Sequence, residues 1–108
     1  MIIVEFKRSS GKLVSFQVSG HAGYDEYNRD IVCSAVSVLT IAIINGITEV
    51  LKINASYQVE EGYSKVTLEK ESLEDIEKCQ VLMETMLLGI KSMEIHYGKY
   101  ITLKIGEV

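Results

Sequence analysis

The sequence predicts an α+β domain: a mostly antiparallel sheet of about five strands with two helices packed on one face, in the order ββαββαβ. Three observations lead there. Two pairs of short alternating segments, each split by a turn containing glycine, read as hairpins. Two longer stretches carry apolar residues at helical spacing. A last short apolar run then follows a glycine. The chain has 108 residues, enough for one core and one domain spanning 1–108. With 47% hydrophobic and 24% charged residues it has the balance of a globular protein, not of a disordered one.

Residues 2–6 run apolar and strand-like, Ser9-Ser10-Gly11 makes a turn, and residues 13–18 alternate. In that alternation Leu13, Ser15 and Gln17 fall on one face and Val14, Phe16 and Val18 on the other. Residues 19–29 read as a loop longer than a connection requires, and long loops in compact domains are disproportionately functional. Asp30 is placed to open the first helix as its N-cap, which makes Cys33 the third residue of the helix. That helix is expected to run to about residue 52, buried on most sides, with Gly46 allowing a close approach.

Residues 55–59 and 63–68 form the second hairpin around Glu61-Gly62; Tyr57 and Val59 share a face, as do Val66 and Leu68. Ser72 with Asp75 three residues on resembles a capping box. The second helix then continues to about residue 96 on an apolar stripe of Ile76, Cys79, Met83, Met86, Leu87, Ile90 and Met93, and Gly98 is placed as its C′ residue. Residues 100–105 make the last strand.

Composition narrows the function classes. A net charge of -4 and a pI near 5.1 speak against direct binding of nucleic acid, while leaving a basic protein as a partner. The apolar run 31–44 is interrupted by Ser34, Ser37 and Thr40 and is too short to span a bilayer, so no membrane role is expected. The start of the chain does not resemble a secretion signal, so a cytoplasmic location is expected. In a reducing compartment Cys33 and Cys79 are expected to stay unpaired. Two cysteines and two histidines far apart in sequence make no metal motif, and no cofactor is implied.

The chemistry concentrates between residues 20 and 37. A thiol attacks as its thiolate, which a helix N-terminus or a neighbouring His⁺ favours. Placed in the first turn of a helix, Cys33 is a candidate nucleophile, and the backbone N–H groups around it would face a developing oxyanion. His21, flanked by Gly20 and Gly23, sits at the far end of the same loop and is the candidate base. Asp30, Asp25 and Glu26 are all placed to orient it, and spacing does not choose among them. Ser37 lies one turn after Cys33 on the same helix face, free to act in the site or to bond a helix carbonyl. Tyr24 and Tyr27 either meet a ligand or pack the loop on the body. Cys79 and the methionines of the second helix read as core, and His96 as a complement to the helix dipole. On this evidence Cys33 is either an activated thiol or an ordinary buried cysteine.

The segment GHAGYDEYNRDIVCSAVS, residues 20–37, resembles the ribosomal-processing cysteine proteases of the Prp family. These show a GHAGY stretch followed by DIVCAAVS in a chain of about this length. The resemblance implies His21 and Cys33 as catalytic residues, with Asp30 and Ser37 as their usual companions. It implies as substrate the N-terminal extension of a large-subunit ribosomal protein (bL27 type), a homodimer, and a loop that closes over the peptide. Asp25, Asn28 and Ser34 depart from the small residues common at those positions. A non-catalytic ribosome-associated binding or assembly factor is the alternative reading, and a redox switch joining Cys33 to Cys79 a third.

Overall fold

The computed structural model describes residues 1–20 and 27–108, with side chains for 1–20 and 31–108. The elements follow the expected order: β1 (Ile2–Ser9), β2 (Lys12–Ser19), α1 (Tyr27–Asn45), a π-helical turn (Gly46–Val50), β3 (Ser56–Glu60), β4 (Tyr63–Thr67), α2 (Leu73–Tyr97) and β5 (Ile101–Glu107). The sheet runs β3-β4-β2-β1-β5. Its pairs are antiparallel except β1 with β5, which is parallel.

One face of the sheet is apolar. Ile2, Val4 and Phe6 of β1 align with Val18 and Phe16 of β2 and with Ile101 of β5, and Phe16 aligns with Val66 of β4. All are buried. The opposite face carries Glu5, Lys7, Gln17, Lys65 and Lys104, as expected of an antiparallel sheet with one solvated side. The expected alternation of β2 breaks at one point: Lys7 pairs with Ser15 but Arg8 with Leu13, leaving Val14 as an extra residue. This bulge sends both Leu13 and Val14 into the core. The Leu13 backbone loses ladder partners there, and the Gln80 amide replaces them, accepting from the Leu13 N–H and donating to its C=O, both at 2.9 Å.

Both helices lie against the apolar face. α2 begins where its cap predicts: Ser72 Oγ accepts a hydrogen bond from the Asp75 N–H at 3.1 Å. The expected stripe is buried through Ile76, Cys79, Met83, Met86, Leu87 and Ile90. The Arg8 guanidinium donates to both carboxylate oxygens of Glu84, at 2.9 and 3.1 Å, tying β1 to α2. The helices approach closely at two glycines. A Cβ on Gly46 would lie 2.8 Å from Leu82 Cδ1, and one on Gly89 2.9 Å from Leu39 Cδ2.

Four expectations need correction. The first helix (Tyr27–Asn45) is already formed before Asp30, which therefore does not open it. Its α-helical part ends at Asn45, and Gly46–Val50 continues as a wider π turn in which the Leu51 N–H reaches Gly46 O at 2.9 Å. Among the described side chains of α1 one side is buried, through Val32, Val36, Ile43 and Ile44, while Ile31, Val38 and Ile41 face outward. Gly98 has φ -59 and is no left-handed C′ residue; a Cβ there would instead meet Glu94 O at 2.8 Å.

Candidate active site

Helix α1 turns Cys33, Val36, Ser37 and Thr40 toward one cavity of about 640 Å³, the i, i+3, i+4, i+7 spacing of a single helical face. Val36 and Thr40 are buried, and the Thr40 hydroxyl is satisfied on Val36 O at 2.7 Å. Cys33 is half-buried and packs on the core while opening on the cavity. Ile2 and Val18 line it from the adjoining ends of β1 and β2. The remaining wall is the β3–β4 hairpin end: Glu60, Glu61, Gly62, Tyr63 and Ser64.

Gly20 closes the end of β2 and also lines the cavity. Its φ of +91 lies in the left-handed region, and a Cβ there would sit 2.2 Å from Met1 O, so no other residue fits without moving backbone. Its N–H donates to Gly62 O at 3.0 Å. Gly20, the residue before His21 in sequence, is thus tied directly to the β3–β4 turn.

The candidate residues therefore divide. Cys33, Ser37 and Gly20 meet at one cavity. His21, Gly23 and Tyr24 lie outside the described residues, as do Asp25, Glu26 and the side chains of Tyr27 and Asp30. The capping role of Asp30 is overturned. With α1 already formed at Tyr27, Asp30 does not open the helix and Cys33 lies beyond its first turn. Only the first four N–H groups of a helix are unpaired, and the dipole's influence fades after the first turn. Neither a first-turn thiolate nor an oxyanion site built from N–H groups around Cys33 survives this shift.

The walls supplied by Ile2, Thr40 and residues 60–64 were not anticipated. Thr40 follows Cys33 at the i+7 position, which a helical stripe drawn through Cys33 and Ser37 would have reached. The hairpin wall has no local signal beyond its Glu61-Gly62 turn; only the sheet order brings it opposite α1.

The site's charge is one-signed: among the described lining residues Glu60 and Glu61 are the charged side chains. Gln58 Nε2 donates to Glu60 Oε1 at 2.8 Å. The second cysteine has a contrasting environment. Cys79 is fully buried on α2, and burial first, with the charges of Asp75 and Glu71 adding to it, pushes its thiol up to about 11. It remains protonated at neutral pH and is core, as its place on the apolar stripe indicated. Among the described residues no three His, Cys, Asp or Glu side chains gather to hold a metal ion.

The family model of the cysteine protease Prp matches residues 1–102. A ribosomal processing cysteine protease Prp from Bacillus subtilis (strain 168) is 29% identical over 101 residues, 90% of each chain. Its counterpart from Staphylococcus aureus (strain Mu50) is 24% identical over 104 residues, 95% of this chain and 97% of its own. Among solved structures, SMU.848 from Streptococcus mutans superposes with a TM-score of 0.90 at 37% identity, over 100% of this chain and 96% of that one. The essential ribosomal processing protease Prp from S. aureus, crystallised with a substrate peptide, shares the fold with a TM-score of 0.80 at 23% identity, over 97% and 99% of the two chains.

Proposed function

The chain belongs to the Prp family of ribosomal-processing cysteine proteases, and we propose that Cys33 is its nucleophile and His21 its general base in removing the N-terminal extension of a bL27-type ribosomal protein. The observation that carries this is the contrast between the two thiols: Cys33 opens on a cavity large enough for a peptide side chain, and Cys79 is sealed in the core. His21 follows directly on Gly20 in the wall of that cavity.

In this reading His21 takes the Cys33 proton and the sulfur attacks the scissile carbonyl carbon, forming a C–S bond and a tetrahedral oxyanion. The C–N bond breaks as His21 returns the proton to the leaving amine, giving a thioester on Cys33. Water, deprotonated by His21, then attacks the thioester and releases the carboxylate and the thiol. Ser37 stands one turn from the sulfur with its hydroxyl at the same cavity, a donor that the helix backbone at Cys33 does not offer. Asp30 supports the pair as the resemblance implies, and which of Asp30, Asp25 and Glu26 orients His21 is left to their separate substitution by Asn or Gln. The S. aureus relative crystallised with a covalently linked product peptide fits a cysteine-bound acyl group.

The exposed stripe of Ile31, Val38 and Ile41 on α1 is assigned to a homodimer interface, and the enzyme to the cytoplasm, where its ribosomal substrate is made. Incubating the protein with the extended ribosomal protein and sequencing the new N-terminus tests the activity. Cys33→Ala is expected to abolish cleavage and Cys79→Ala to retain it. Full cleavage by the Cys33→Ala protein would overturn the assignment.

A further inference from the structure

We propose that the outer edge of β3 is the docking rail for the substrate, which adds to the sheet as a sixth, extended strand running into the Cys33 cavity. This rests on the protease reading above and specifies how the peptide is held.

Strand β3 ends the sheet, and hydrogen-bond parity shows what that end presents. On β4, Gly62 O and Leu68 N point toward β2, where they meet Gly20 N at 3.0 Å and Val14 O at 2.7 Å. Directions alternate along a strand, so Tyr63, Lys65 and Thr67 direct their backbone groups toward β3. Their partners there are Glu60, Gln58 and Ser56. The N–H and C=O groups of Tyr57 and Val59 therefore point away from the sheet. Every residue of β3 is exposed, and its sequence SYQVE contains neither the lysine nor the proline that commonly blunts an edge.

The side chains on that edge add a second observation. Tyr57 pairs with the buried Val66, and Val59 with Ser64, so both stand on the face that carries the helices. Yet they are 55% and 47% exposed, because the helices do not reach over them. An extended peptide laid along β3 would thus find unpaired amide partners and an apolar shelf together. It is also led to the chemistry: the strand's last residue, Glu60, and the following Glu61 and Gly62 line the same cavity as Cys33. The two carboxylates at that junction favour a segment bearing basic side chains. Strand addition to a free edge is a general mode of peptide recognition, in which the backbone supplies affinity and alternate side chains supply selection.

Amide hydrogen exchange on the inactive Cys33→Ala protein, titrated with a peptide spanning the cleavage site, tests the inference. The Tyr57 and Val59 amides are expected to slow on binding, while Gln58, already paired to β4, changes little. Val59→Pro removes an outward N–H and leaves the β3–β4 ladder intact. It is expected to raise KM about five- to tenfold with kcat retained, the loss of roughly one hydrogen bond. Peptide that binds while both amides exchange freely would overturn strand addition and leave the protease standing. Protection of the two amides without peptide, rising with protein concentration, would assign the edge to a second copy and also overturn it. If the wild-type protein neither binds nor cleaves the peptide, the protease reading fails, and this inference with it.

Discussion

At the scale of single residues, the two cysteines show how one side-chain type acquires opposite properties from its surroundings. Cys79 has no access to solvent and a thiol held up near 11, so reagents that need a thiolate cannot reach it in the folded protein. Cys33 faces a cavity. A thiol reagent at neutral pH is therefore expected to label one cysteine per chain in the native protein, none in Cys33→Ala, and a second only after unfolding. Mass spectrometry of the labelled chains checks all three. The Cys79 shift also has a stability consequence. In the unfolded chain its pKa returns to about 9. Below that value both states hold the proton and the contribution is fully present. Above it the unfolded chain releases a proton that the folded chain keeps, and stability declines until the pH passes about 11. The slope from this one group reaches about 1.4 kcal/mol per pH unit. Denaturation midpoints across that window are expected to fall less steeply for Cys79→Ala than for the parent.

At the scale of elements, glycines of similar appearance in sequence do different jobs. Gly20 has a positive φ and faces a backbone oxygen at 2.2 Å; Gly46 is helical and faces the far end of the Leu82 side chain. Gly20→Ala is expected to cost at least about 1–2 kcal/mol from the left-handed conformation alone. At about 4–8 °C per kcal/mol, thermal unfolding would show this plainly. Gly46→Ala is expected to cost less, since the leucine tip can turn aside and alanine favours a helix. If the two alanine variants melted together, the close approach at Met1 would be wrongly described.

Most elements were legible because their signals are local: the alternation of β4, the Ser72 cap and the helical stripe of α2 each lie within a few residues. The start of α1 was not, because Asp30 suits a cap by residue type while the helix is already formed before it. The paired burial of Leu13 and Val14 was hidden too, since the bulge depends on Gln80, a residue 67 positions away in sequence.

At the scale of the whole molecule, the site is assembled from three remote stretches: the ends of β1 and β2, one face of α1, and the β3–β4 turn. Sequence reading located the thiol and the glycine before the histidine, which sit in one contiguous motif. It did not locate the opposite wall, because nothing in residues 60–64 states that β4 pairs with β2. The outward stripe on α1 belongs to this scale as well. Ile41→Glu is expected to leave the fold intact by circular dichroism and to reduce the mass seen by light scattering to one 12.1 kDa chain. A parent protein already of that mass at micromolar concentration would remove the dimer.

The parallel pairing of β1 with β5 has a consequence for synthesis. Ile2, which lines the cavity, donates its N–H to Tyr100 O at 2.8 Å, and β1 is flanked on that side by residues 101–107. A chain emerging from the ribosome makes β1 well before β5, its outer neighbour. Until β5 docks, β1 is an open edge and Ile2 lacks its tie to Tyr100. The cavity wall at Ile2 is therefore one that waits on a distant stretch of chain, since the strand that pins it is made long after it.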